Sequence, residues 1–195
     1  MKKMPSLFVR KFHGPASCEA LNEVTPGAEW VIAGEGTASQ KLDGTCCMVR
    51  GGVLFKRYDA KHGKTPPPGF EPAQPEADPV TGHWPGWIQV GDGPADHMHR
   101  EAWAYAQAEG ALPDGTYELL GPKVNRNPEG AAIHMLIPHG TPWSGDMSDA
   151  PREFHALRQW LAQRDIEGVV WRHPDGRMVK VKKSDFGMPR KPVAP

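Results

Sequence analysis

Glycine and proline punctuate this chain from end to end, 22 and 21 of its 195 residues, and that punctuation limits what it can fold into. Glycine tolerates positive φ, while proline locks φ and lacks an N–H, so both end regular elements rather than extend them. The segments between are short and read mostly as strands. Residues 45–50 and 53–58 flank Gly51-Gly52, and adjacent glycines supply the positive φ values of a two-residue primed turn. A second hairpin joins 168–172 to 177–182 through His173-Pro174-Asp175-Gly176. Further strands are predicted at 30–33, 87–90, 116–123 and 134–137. Two helices stand out. Asp96 caps one that runs to Glu109, with Gly110 ending it. Ser148 or Asp149 caps another with Pro151 in its first turn, and Phe154, Leu157 and Leu161 give it an apolar stripe at helical spacing.

Residues 62–86 are too proline-rich for a regular element and read as a mobile surface loop able to fold over substrate. No internal repeat is present. The expected fold class is α+β, with mostly antiparallel sheets and flanking helices, in a single domain over 1–195 whose last residues, 187–195, form a flexible tail. A hydrophobic content of 38% and a mean hydropathy of −0.56 fit a globular chain. No apolar run approaches the roughly 18 residues needed to span a bilayer. The N-terminal Met-Lys-Lys-Met-Pro lacks the apolar core of a signal peptide. The expected location is cytoplasmic, without membrane association. Cys18, Cys46 and Cys47 form no CxxC pair or disulfide framework and read as buried reduced thiols. Adjacent Cys46 and Cys47 point to opposite faces of a strand, which makes joint metal ligation awkward.

Net charge is zero, with 23 Lys+Arg against 23 Asp+Glu, but the charges are unevenly placed. Basic residues gather at Lys2, Lys3, Arg10 and Lys11, at Lys56, Arg57, Lys61 and Lys64, and at Arg177, Lys180, Lys182, Lys183, Arg190 and Lys191. A locally basic groove on a neutral protein suits an enzyme that must release a polynucleotide. Two apparent motifs fail. Gly63-Lys64-Thr65 lacks the first glycine of a phosphate-binding loop, since position 58 is tyrosine. His97 and His99, two apart on a helix, face different ways.

The chemistry lies in four short stretches taken in order: Lys41-Leu42-Asp43-Gly44, then Tyr117-Glu118-Leu119-Leu120-Gly121, then Glu167-Gly168-Val169-Val170, then Val179-Lys180-Val181-Lys182-Lys183. A neutral lysine amine can attack the α-phosphorus of ATP, expel pyrophosphate and hold AMP as a phosphoramidate. The register of the second hairpin bears on the rest. A two-residue or a four-residue turn pairs odd positions with even ones, and cross-strand partners point the same way. Either turn puts Lys180 and Lys182 on one face with Val169, Trp171 and, where the strand extends that far, Glu167. A three-residue loop breaks that arrangement.

The order and spacing of these stretches resemble the covalent nucleotidyltransferases: ATP-dependent DNA ligases, RNA ligases and capping enzymes. Over residues 35–188 the resemblance is strongest to the small ATP-dependent RNA ligases, including the 5′-to-3′ RNA ligase family found in animals. It implies the nucleotidyltransferase fold without an appended OB domain. It also implies Lys41 as the nucleophile, Glu167 as a ligand of Mg²⁺ (or Mn²⁺), and Lys180 and Lys182 at the α-phosphate of ATP. Glu118 would accept hydrogen bonds from the ribose hydroxyls, Asp43 and Gly44 would support the nucleotide, and Arg57 stands where the family often has an arginine. Lys123, Asn125 and Arg126 are expected to meet nucleotide or RNA phosphates. The segment His134-Met135-Leu136-Ile137-Pro138-His139 lies near the family's adenine-stacking position but lacks its aromatic residue. The function implied is a monomeric ATP-dependent RNA ligase joining 5′-phosphate and 3′-hydroxyl RNA ends through lysyl-AMP. The rival readings are a minimal DNA-nick ligase and a catalytically silent nucleotide- or RNA-binding module.

Overall fold

A computed structural model describes residues 3–14, 17–79, 81–143 and 145–191. Lys2 of the N-terminal basic group and residues 192–195 of the tail lie outside the described residues. In chain order the elements are β1 (Phe8–Gly14), β2 (Ser17–Val24), α1 (Glu29–Ile32), β3 (Thr37–Lys41), β4 (Thr45–Arg50), β5 (Val53–Ala60), β6 (Glu71–Pro72), β7 (Trp84–Gln89), α2 (His97–Glu109), β8 (Gly115–Leu120), β9 (Met135–Pro138), α3 (Phe154–Ala162), β10 (Gly168–Arg172) and β11 (Met178–Lys182). Every strand pair within the sheets is antiparallel, so the fold is α+β as expected. The chain divides into two compact units, one of Met1–Lys3 with Asp43–His139 and one of Met4–Leu42 with Gly140–Pro195. No helix among the described residues is long and apolar enough to cross a membrane.

The unit built on 43–139 holds a six-stranded sheet in the order β6-β7-β5-β4-β8-β9. Gly51 (φ +57°) and Gly52 (φ +72°) make the predicted primed turn between β4 and β5, and Cys47 pairs with Lys56. One sheet face buries Cys47, Val49, Tyr117, Leu119 and Leu136 against Ala102 of α2. α2 begins where expected, but Asp96 does not cap it with its side chain. Its carboxylate instead accepts the Gly91 N–H at 2.9 Å and pairs with the Lys56 ammonium. The 62–86 stretch contains β6 and the start of β7, so it is not wholly irregular. Pro72 is tolerated there because β6 lies at the sheet edge, where a missing N–H breaks no ladder.

The unit built on 4–42 and 140–195 holds a three-stranded sheet, β11-β10-β3, and the β1-β2 hairpin. Leu7 N–H donates to Lys180 O, and Lys180 N–H donates to Pro5 O, so the residues before β1 line β11. Val169, Trp171, Val179 and Val181 are 0–2% exposed and pack with Phe8, Trp30, Val31, Leu157 and Leu161. Each such burial contributes about 1.5–3 kcal/mol before entropy is counted. Residues 30–33, expected as a strand, instead include part of α1, which turns Trp30 and Val31 into this core. α3 starts at Phe154, later than expected. Asp149 is engaged elsewhere, accepting from Trp160 Nε1 and Arg164, and Glu153 occupies the cap position in extended conformation. The expected apolar stripe does form, with Leu157 and Leu161 fully buried and Phe154 packed beside them.

The second hairpin corrects the expected register. Its loop has three residues, Pro174, Asp175 and Gly176, closed by a His173 N–H bond to Arg177 O. Asp175 accepts from the Arg177 N–H at 2.9 Å, and Gly176 takes φ +90°. Odd positions therefore pair with odd and even with even, Gly168 with Lys182 and Val170 with Lys180. Val169 and Trp171 face the core with Val179 and Val181. Lys180 and Lys182 take the opposite face, away from Val169 and Trp171.

Candidate active site

The corrected register brings the expected groups together by another route. Gly168 pairs with Lys182 on one side and with Lys41 on the other. Three strands thus align Lys41, Gly168 and Lys182 in one row on one face. The next row holds Ser39, Val170 and Lys180, and the third holds Thr37, Arg172 and Met178. No larger residue fits at Gly168, because a Cβ there would lie 2.0 Å from Val181 O and 2.9 Å from Lys182 Cα. Glu167, just before β10, turns its carboxylate toward this row. Its Oε2 is 2.5 Å from Lys41 Nζ and its Oε1 is 3.7 Å from Lys182 Nζ. Lys41, Glu167 and Lys182 side chains are 22%, 20% and 30% exposed, so the cluster is open to a ligand without being fully solvated.

Lys180 sits half-buried among like charges. Burial, then the Lys41, Lys182 and Arg10 cations, lower its ammonium to about 8. No ion pair of Lys180 occurs among the described residues, and only Glu167 partly offsets the repulsion. Beyond β11, Asp185 accepts the Lys182 N–H at 2.8 Å and stands 3.7 Å from Arg10. That carboxylate is 1% exposed and holds the end of the lysine strand in place. Lys183 differs from its two neighbours. It is buried and donates to Arg164 O at 2.7 Å and to Arg190 O, which makes it structural.

The other unit carries the second set of expected residues. Glu118 Oε1 accepts the Gly44 N–H at 3.0 Å. Gly44 packs against β8 so closely that a Cβ would reach Leu119 O at 2.3 Å and Glu118 Cγ at 2.8 Å. Glu118 Oε2 lies 2.9 Å from His139 Nε2, and His139 Nδ1 lies 2.9 Å from Thr116 Oγ1. A carboxylate only accepts, so Nε2 donates and, in the neutral ring, Nδ1 accepts the Thr116 hydroxyl. Asp43 donates its N–H to Glu129 at 2.9 Å and accepts from Asn125 Nδ2 at 2.9 Å.

Asn125, expected at a phosphate, has its amide engaged internally, since Nδ2 also donates to Gly44 O at 2.8 Å. It opens a run of three left-handed residues, Asn125, Arg126 and Asn127, with φ of 46°, 66° and 56°. Such a run is strained for side-chain-bearing residues and persists only where its surroundings hold it. Lys123 and Arg126 are exposed on the same loop. Arg57 shares the Glu118 face: Lys56 pairs with Cys47, and Cys46 pairs with Glu118. Its guanidinium contacts Asp59 at 2.9 Å and stacks over Trp87 at 5.7 Å.

The thiols divide as the strand alternation requires. Cys47 is in the core, and Cys46 lies on the Glu118 face, where burial and then the Glu118 charge push its thiol up to about 12. His134 is buried against Gly121, where a Cβ would reach its ring at 2.0 Å, and it pairs with Glu101 at 2.6 Å.

Three residues take a place in these clusters that the sequence did not show, although Gly168 and His139 lie in stretches it singled out. Gly168 acts through cross-strand register, His139 reaches Glu118 across β8 and β9, and Arg172 occupies the lysine face two rows from Lys41. Each depends on strand pairing, which a single sequence does not display.

A family model described as RNA ligase 1 matches residues 107–194. RNA ligase 1 of Danio rerio is 25% identical over an alignment covering 99% of this chain and 82% of the relative. RNA ligase 1 of Pongo abelii and of Mus musculus are each 25% identical, covering 96% of this chain and 81% and 80% of the relatives. The chain is thus similar to animal proteins named RNA ligase 1 over nearly its whole length.

Proposed function

We propose that the chain is an ATP-dependent RNA ligase with a nucleotidyltransferase fold, acting on 5′-phosphate and 3′-hydroxyl RNA ends. The observation that carries this reading is the single row in which Lys41, Gly168 and Lys182 stand side by side with Glu167 against both amines. In the first step the Lys41 amine attacks the α-phosphorus of ATP. A P–N bond forms, the bond to the β-phosphate oxygen breaks, pyrophosphate leaves and the amine gives up a proton to solvent. An RNA 5′-phosphate oxygen then attacks the same phosphorus, and the lysine leaves and regains its proton. Finally the RNA 3′-hydroxyl attacks the activated 5′-phosphorus and AMP departs. Lys180 and Lys182 offset the charge that builds on the phosphoryl oxygens.

Glu118, braced by Gly44 and His139, takes the ribose hydroxyls in the role implied by the resemblance. Asp43 and Arg57 have supporting roles. Among the described residues no group of three or more His, Cys, Asp or Glu is placed to hold a metal ion. A single carboxylate is compatible with Mg²⁺ or Mn²⁺ only because such an ion keeps several waters and takes substrate phosphates besides one or two carboxylates. Glu167 would be the carboxylate, and the ion would supply positive charge at the phosphates.

Incubation with α-labelled ATP and Mg²⁺ tests the reading. A covalent label on the protein, located on Lys41 by mass spectrometry and absent from Lys41→Ala, is the expected result. Unlabelled protein, or label persisting in that variant, would falsify it. Sealing of nicked duplexes with RNA or DNA at the 3′-hydroxyl side separates an RNA ligase from a DNA-nick ligase.

A further inference from the structure

We propose that Arg172 forms, with Lys180, a two-cation subsite for a phosphoryl group on the lysine face of the β3-β10-β11 sheet. Arg172 pairs with Met178 on β11 and Thr37 on β3, so it projects to the face that carries Lys41, Lys180 and Lys182. Lys180 pairs with Val170, one row along, which makes Arg172 and Lys180 diagonal neighbours on adjacent strands, about 7–8 Å apart at the backbone. Two long cationic side chains at that spacing can converge on one oxyanion.

Neither cation forms an ion pair among the described residues. The nitrogen Nε of Arg172 is buried without a hydrogen-bond acceptor. One terminal nitrogen reaches only the Met178 thioether, at 2.8 Å, and sulfur is a weak acceptor. Burial lowers the pKa of the guanidinium, so its charge is held at a cost that no neighbour offsets. The other cations of this region are better served. Lys41 and Lys182 share Glu167, Arg10 stands near Asp185, and Arg177 contacts Asp175 at 2.7 Å.

Gly140, at φ +93°, lies against Arg172, and a Cβ there would come within 3.2 Å of Nε. A larger residue at 140 would press on the guanidinium. A guanidinium served only by a thioether among the described residues, diagonal to an ammonium with no ion pair there, is suited to a phosphoryl oxygen. The owner of that phosphate rests on the ligase reading: it is either the triphosphate tail of the nucleotide or a backbone phosphate of RNA beside the end being joined. The subsite itself does not depend on which.

The first experiment needs no enzymatic activity. Binding of inorganic tripolyphosphate to the full chain is measured by calorimetry for the wild type and for Arg172→Gln. The expected result is a loss of about tenfold or more in affinity, as for a lost hydrogen bond to a charged group. Arg172→Lys, which keeps the charge but not the fork, should lose about threefold, and it replaces the glutamine variant if that one does not fold. Unchanged affinity in a folded variant overturns the proposal.

Two further arms identify the phosphate. If Arg172→Gln raises the ATP needed for half-maximal labelling of Lys41 but seals a pre-adenylated RNA at the wild-type rate, the triphosphate tail is the occupant. The converse pattern assigns an RNA phosphate. Normal behaviour in both arms overturns the subsite. Wild-type protein that neither labels nor seals overturns the ligase reading instead, and the tripolyphosphate result still stands on its own.

Discussion

Lys41 and Lys182 face each other across Gly168, and a single carboxylate, that of Glu167, serves both. Removing its charge therefore affects the proposed nucleophile and a proposed phosphate-binding lysine together. Glu167→Gln should slow formation of the lysyl-AMP adduct by about 10²-fold, the scale seen when one preorganised electrostatic group is lost. Stability should change little, because the partners are part-exposed and such pairs contribute at most about 1 kcal/mol. The check is a time course of labelling alongside a urea unfolding midpoint. A labelling rate equal to that of wild type would exclude a catalytic part for this carboxylate.

Gly168 is the narrowest point of the row. A methyl group there would overlap Val181 O and crowd Lys182 Cα, so β10 and β11 must separate. Gly168→Ala should cost about 1–3 kcal/mol, the range for overpacking a filled site. It should also displace Lys182 from Glu167, so labelling should fall further than the lost stability explains. Comparing labelling per folded molecule with the shift in thermal midpoint separates the two effects. Unaltered stability would mean that the strands are farther apart than the register implies.

What could be read from the sequence follows from how local each feature is. The β4-β5 turn was legible because Gly51 and Gly52 have no other reason to adjoin, and Cys47 opposite Lys56 follows from it. The β10-β11 loop was not. His173-Pro174-Asp175-Gly176 allows loops of two, three or four residues, and the Asp175 carboxylate bonding to the Arg177 N–H favours three. One residue of slip moves every side chain to the other face, which is why Lys180 and Lys182 lie opposite Val169 and Trp171. β1 and β2 gave no strand signal, since Arg10, Lys11, Glu19, Asn22 and Glu23 interrupt the apolar alternation. The segment 30–33 reads as a strand because Trp30 and Val31 favour strands intrinsically, whereas the core holds them on a short helix. Of the site, Lys41, Glu118, Glu167, Lys180 and Lys182 were legible as motifs. Arg172 was not, and His139 was legible only as part of the adenine segment, because its link to Glu118 appears once strands are paired.

His139 should matter through Glu118. Its ring donates to Glu118 Oε2 at 2.9 Å while Thr116 fixes the other nitrogen. Without the ring, Glu118 keeps only the Gly44 N–H at Oε1, and its carboxylate is free to rotate. His139→Ala should raise the ATP concentration for half-maximal labelling by about tenfold, near the value of a hydrogen bond to a charged group. The labelling rate at saturating ATP should change much less. His139→Gln, which can still donate, should recover part of the loss. If saturating ATP fails to restore the rate, the histidine acts on the chemical step and not by orienting Glu118.

Lys180 makes stability depend on pH in a direction that can be worked out. Burial, then the Lys41, Lys182 and Arg10 charges, bring its pKa down from 10.5 to about 8, with Glu167 opposing. The folded value lies below the unfolded one, so between about pH 8 and 10.5 the unfolded chain binds more protons, and stability rises with pH across that window. Below about pH 8 both states are protonated and the full cost of the buried ammonium is present. Lys180→Met removes that cost. The variant should be more stable than wild type at pH 7, with an advantage that shrinks steadily as pH rises through the window. The difference between the two urea midpoints, taken at pH 7, 9 and 10, reads the contribution of Lys180. An advantage that stays constant from pH 7 to 10 would place its source in packing rather than charge. A variant less stable than wild type at pH 7 would mean that the ammonium has a partner compensating its burial.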